Sequence, residues 1–174
     1  AILQIAALSY GVYTVYNGHP AYVAYSIDRF TLVSPNEVDS SKIRYEKLKT
    51  SIFSQPKIVY AKPPEDPDER NELLFSSVNT GKDLEHFAKY YEPVENFTQK
   101  ISERSVSVDH LNSHPASKSE LIRFLNKQNK PADNFAFLPL MGKKKVMLWA
   151  LDRKTGEPVA TLDIDPWELG ESSL

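Results

Sequence analysis

The chain has 174 residues, enough for one domain with a real core. Its 21 basic and 23 acidic residues leave a net charge of -2, so it lacks the electrostatic footprint of a nucleic-acid or anionic-surface binder. It has no cysteine, which removes a disulfide framework, a thiolate nucleophile and a cysteine zinc site.

The first stretch, AILQIAALSYGVYTVY, is apolar and uncharged. Ile2, Ile5, Ala6, Leu8 and Val12 recur at helical spacing, with Tyr10, Tyr13 and Tyr16 beside them, so residues 2–16 are predicted to be helical. No basic segment or cleavage site marks a signal peptide. The run falls short of the roughly 20 apolar residues of a membrane span. We expect a membrane-proximal helix over residues 1–18, continued upstream in a longer protein. The competing expectation is a mature soluble protein whose N-terminal helix is buried. Asn17-Gly18 is the stop signal.

Residues 20–27 (PAYVAYSI) and 30–33 read as strands joined by a turn at Asp28-Arg29, a candidate ion pair. Ser34, Pro35 and Glu37 form a capping box. A helix is predicted over residues 40–51, with Tyr45, Leu48 and Ile52 on one face, and a strand over residues 57–62. Within PPEDPDER, Asp66 is the predicted N-cap, Pro67 the first helical residue and Glu69 the partner in a capping box. That helix runs to about residue 79 and ends at Gly81. A second helix is predicted from Lys82, since Leu84, Phe87, Ala88 and Tyr91 lie at i, i+3, i+4 and i+7. Residues 92–113 are polar and predicted to be loop with short helical turns. Ser117 and Glu120 read as a capping box, and the helix they start stops before Pro131.

A three-stranded meander closes the chain, FAFLPLMGKKKVMLWALDRKTGEPVATLDIDPW. Its middle run, VMLWAL, is short and wholly apolar, which suits a strand covered on both faces. Pro139 places the first run at an edge or a bulge. Gly156 sits where a bulged hairpin loop needs positive φ. The expected fold is α+β: a single antiparallel sheet made of the N-terminal hairpin and the C-terminal meander. Helices pack mainly on one side, in an order like that of PAS sensor domains, and residues 19–174 form one soluble unit.

Candidate chemistry is sparse. His110 and His114 have metal-ligand spacing, but no glutamate follows the first and Pro115 ends any helix there. Asp163 and Asp165 lie two apart on a strand, which fits strand-end solvation better than acid–base work. No phosphate loop and no nucleophile elbow is present. Catalytic residues, a cofactor and a metal are therefore not expected. Lys143, Lys144 and Lys145 in one hairpin, with Arg153 and Lys154 in the next, are the candidate partner-binding residues.

Three long segments, LQIAALSYGVYTVYNGHPAYVAYSIDRFTLVSPNEV, PPEDPDERNELLFSSVNTGKDLEHFAKYYEP and FLPLMGKKKVMLWALDRKTGEPVATLDIDPW, together resemble the soluble part of type IV pilin accessory proteins, the TfpX/TfpZ family. The family typically has arginine where this chain has His19. The resemblance implies a non-enzymatic, chaperone-like protein of the bacterial inner membrane. It implies apolar N-terminal helices, a periplasmic domain, and a cognate major type IV pilin as partner in fimbrium biogenesis. The alternative is a periplasmic PAS-like domain that senses a small ligand.

Overall fold

A computed structural model describes residues 2–51 and 54–169. Five helices are present among them: α1 (Ile2–Gly18), α2 (Pro67–Thr80), α3 (Thr98–Ser102), α4 (Val108–Ser113) and α5 (Pro115–Gln128). Seven strands accompany them: β1 (Tyr22–Ser26), β2 (Arg29–Val33), β3 (Lys57–Ala61), β4 (Tyr91–Pro93), β5 (Phe135–Met141), β6 (Val146–Asp152) and β7 (Pro158–Leu162). They form one mixed sheet in the order β4-β3-β1-β2-β5-β6-β7.

This corrects the antiparallel, PAS-like expectation. β1 pairs with β3 in parallel, Val23 opposite Ile58 and Ala24 opposite Val59. β2 pairs with β5 in parallel through Phe30–Leu140 and Thr31–Met141. Local turns dictate only the hairpin and the meander. The segments after β2 and before β5 bring their strands back in the same direction, and no turn motif encodes that.

The chain divides into two compact units, one holding residues up to Ser26 with Leu32–Pro93, the other Ile27–Thr31 with Val94 onward. Each has its own apolar cluster. In the first, Tyr22, Ala24, Val59, Leu84 and Tyr91 pack together, and the Tyr22 and Tyr91 rings lie 5.1 Å apart. In the second, Leu111, Leu121 and Phe124 pack against Phe135, Phe137 and Leu148. The Phe124 and Phe135 rings meet edge to face with centres 4.9 Å apart.

Several local expectations fail for identifiable reasons. Residues 40–51 hold two separate 3-10 turns, Ser40–Lys42 and Glu46–Leu48, in place of a helix. Leu48 is buried and Tyr45 is exposed, so they share no core face; Ile52 lies outside the described residues. The helix expected after Lys82 is likewise two 3-10 turns leading into edge strand β4. Leu84, Ala88 and Tyr91 are nevertheless all buried, so the apolar pattern reports burial correctly and conformation wrongly. Ser117 lies inside α5, whose N-cap is His114 and whose first residue is Pro115. Its hydroxyl donates to the carbonyls of Leu111 (2.6 Å) and His114 (3.1 Å).

The doubly covered strand of the meander is β5, buried from Phe135 to Leu140, whereas β6 alternates and leaves Trp149 half-buried. Pro139 thus sits in a central strand. Phe137 N–H donates to Ser105 Oγ and Phe137 C=O accepts from Val106 N–H, so both point away from β6. Alternation turns the nitrogen of residue 139 the same way, and the proline removes no bond to β6.

Candidate functional site

Three surfaces carry the chemistry. The first is α1. Every side chain over residues 4–15 is exposed, including Ile5, Leu8, Val12 and Tyr13, and the helix contains no charged residue. A largely apolar, uncharged helix whose residues 4–15 are left exposed by the described residues is matched to an apolar surrounding. The expectation of a buried N-terminal helix therefore fails. No helix among the described residues is long and apolar enough to cross a membrane.

The second surface is an open polar groove in the first unit, about 260 Å³, at the start of α2. Asp66 caps the helix by accepting from Asp68 N–H at 2.8 Å, as the sequence predicts. Glu69 does not complete a capping box. Its Oε1 accepts from Lys89 Nζ at 2.7 Å and from Tyr90 Oη at 2.8 Å. The Lys89 ammonium also lies 4.6 Å from the centre of the Tyr90 ring. Hydrogen bonding from Lys89, then from Tyr90, holds the Glu69 carboxyl below the ordinary glutamate value. The same carboxylate raises Lys89, and burial is the main cause that raises the Tyr90 phenol. Lys62 pairs with Glu65 at 2.7 Å on the rim, where Arg44 and Glu92 also line the groove. Its cations and carboxylates largely neutralise one another. The arrangement joins α2 to the segment before β4 and concentrates no charge on a ligand.

The third surface comprises the hairpins of the second unit. Lys143, Lys144 and Lys145 occupy the β5–β6 turn, and Lys145 Nζ pairs with Asp163 at 2.7 Å. Arg153 and Lys154 occupy the β6–β7 turn, at the other end of β6, roughly 20 Å away along a seven-residue strand. The five predicted residues are therefore not one patch. Arg153 is fastened inward: its guanidinium donates to Phe135 O (3.0 Å), Ser102 O (3.3 Å), Ser102 Oγ (3.2 Å) and Asp133 O (3.2 Å). Its partners are backbone carbonyls and a serine, so it organises the start of β5. Lys154 contributes its backbone N–H to Asp152 Oδ1 at 2.9 Å. Lys143 and Lys144 stay exposed.

The remaining candidates separate as well. His110 and His114 meet edge to face with ring centres 5.8 Å apart. No group of three His, Asp or Glu side chains suited to a metal ion is found among the described residues. Asp163 faces Lys145, whereas Asp165 accepts from Trp167 N–H at 2.9 Å, so the two carboxylates do not act together. Asp28 and Arg29 form the expected ion pair (2.7 Å), and the guanidinium also lies 5.1 Å from the centre of the Trp167 ring. A cavity lined by Phe30, Ile101, Leu138 and Leu151 together with Ser102, Asp152 and Arg153 has a volume of about 10 Å³, room for about one water.

Sequence reasoning overlooks the Glu69–Lys89–Tyr90 cluster, because the three residues are joined only by folding. It also overlooks the exposure of Leu74, Phe75 and Val78 on α2. Their spacing at i, i+1 and i+4 is visible in the sequence, but apolar spacing on a helix is ordinarily a sign of core. No family model, no curated protein and no solved structure matches this chain.

Proposed function

We propose that this chain is a non-enzymatic accessory of a cognate major type IV pilin, held at the bacterial inner membrane through α1 with its sheet on the periplasmic side. The observation that carries the membrane part is α1 itself, uncharged and exposed on every side over residues 4–15. The pilin as partner, and a role in pilus assembly or dynamics, rest on the sequence resemblance. A cation-bearing rim fits such a role: Lys143 and Lys144 are exposed and offer charge to an acidic surface.

The test is genetic and biochemical together. Deleting the gene is expected to lower the number of surface pili, and the tagged full-length protein is expected to retain the cognate pilin in detergent extracts. Unchanged piliation together with no pilin retained sinks the reading. Reversing Lys143 and Lys144 to glutamate tests the rim separately: retention falls if the rim is the contact, and undiminished retention removes the lysines from it.

A further inference from the structure

Beyond Leu73, the large apolar side chains in the uncharged half of α2 stay out of the core. The first half of this helix carries Asp68, Glu69, Arg70 and Glu72, while residues 73–81 (LLFSSVNTG) contain no charge. Leu73 packs against the apolar cluster of its unit and meets the need for attachment. Leu74, Phe75 and Val78 point elsewhere, within an arc of roughly 100°, with exposures of 59%, 72% and 85%. Three large apolar side chains left together on one helix face mark an interaction surface.

Its position within the unit indicates what covers it. α1 adjoins the 3-10 turn Pro35–Glu37. The same turn accepts a bond from just beyond the end of α2: Lys82 Nζ donates to Glu37 O at 3.5 Å. Ser77 Oγ donates to Lys82 O at 2.9 Å, which ties the last turn of α2 to that lysine. Val78 lies in that last turn, two residues before the end of the helix. The uncharged end of α2 and the apolar helix α1 therefore share one support.

We infer that the Leu74, Phe75 and Val78 face of α2 lies in the headgroup–acyl boundary of the bilayer that takes α1. The inference rests on the reading of α1 as lipid-embedded. A lipid surface suits this face because it is a convex helix surface whose next member within that arc, Asn71, is uncharged. Such a face buries apolar side chains without needing register or charge recognition.

The chain has no cysteine, so single cysteines can be labelled without background. The full chain is reconstituted in neutral phosphatidylcholine vesicles carrying brominated acyl chains. A fluorophore is attached in turn through Val12→Cys, Glu72→Cys, Phe75→Cys and Val78→Cys. The expected result is quenching at residues 12, 75 and 78 but not at 72, with residues 75 and 78 roughly 5–10 Å beneath the interface. Quenching at 12 with residues 75 and 78 in water overturns the inference and leaves the α1 reading standing. Residue 12 in water overturns both. Residues 75 and 78 in water until purified pilin is added, and shielded afterwards, overturns the lipid assignment in favour of a protein partner. Equal quenching at 72, 75 and 78 also overturns it, because the helix then has no interfacial face.

Discussion

Gly156 lies against Thr98: a Cβ on the glycine would stand 2.8 Å from Thr98 Cγ2 and 3.1 Å from its Oγ1. The glycine also has φ 73°, where a side chain is strained in any surroundings. The loop around it is fixed by Asp152, whose Oδ1 accepts from Lys154 N–H (2.9 Å) and Thr155 N–H (3.2 Å), and whose carbonyl accepts from Gly156 N–H (2.8 Å). The loop therefore has no freedom to move a new methyl aside. Gly156→Ala is expected to destabilise by on the order of 1–3 kcal/mol in urea unfolding. Adding Thr98→Ala should return the steric part and leave the backbone part. A Gly156→Ala chain as stable as the parent would contradict the geometry.

Arg153 tests whether the second hairpin is an interface or a brace. Its guanidinium reaches Ser102, Asp133 and Phe135 at once, a fan that one ammonium does not reproduce. Arg153→Lys is expected to cost about 1–3 kcal/mol, because carbonyls that met a charged donor lose it. Lys154→Ala is expected to change stability by less than about 0.5 kcal/mol. Equal effects at the two positions in thermal or urea unfolding would remove the distinction.

What the sequence makes legible follows from how local the signal is. Asp66, Pro67 and Gly81 bound α2 because capping and left-handed termination act over three or four residues, and all three sit where they are predicted. The meander is legible for the same reason, through its turns and apolar runs. The parallel pairings of β1 with β3 and of β2 with β5 have no local signature, so the sheet is misjudged as antiparallel. Arg153 illustrates the limit for the site: a basic residue in a turn is indistinguishable in sequence from a solvated one, and only the positions of Ser102, Asp133 and Phe135 reveal its job.

Glu69 should make the stability of this protein depend on acid. Its carboxyl is held below its ordinary value of 4.5, first by Lys89 and then by Tyr90. A group depressed in the folded state stabilises above its unfolded pKa, and that contribution is lost as pH falls through the folded value. Lys89 is raised above its ordinary 10.5, so its share is present below that pH and is lost as pH rises through the raised value. Glu69→Gln should therefore lower the urea midpoint near about pH 7 and have a shrinking effect toward about pH 3. A gap of the same size at both pH values would mean that the ionised carboxylate is not what matters.

Ile27 holds the tight turn between β1 and β2 in a conformation its side chain resists. Its φ is 57°, in the left-handed region, and it is 73% exposed. A β-branched residue crowds its own backbone there, whereas asparagine enters the region with little penalty. The turn persists because neighbouring contacts hold it: Asp28 and Arg29 form a two-bond ion pair at 2.7 and 3.2 Å directly after it. Phe30, the next residue of β2, meets the Trp149 ring at 4.9 Å. An exposed isoleucine recovers little by burial. Ile27→Asn is expected to stabilise by about 1 kcal/mol, read as a higher urea midpoint with an unchanged slope. Ile27→Gly should gain less, because the glycine also loosens the unfolded chain. If both substitutions destabilise, the isoleucine is held in place by contacts that outweigh the backbone, and the left-handed turn is a consequence of that side chain.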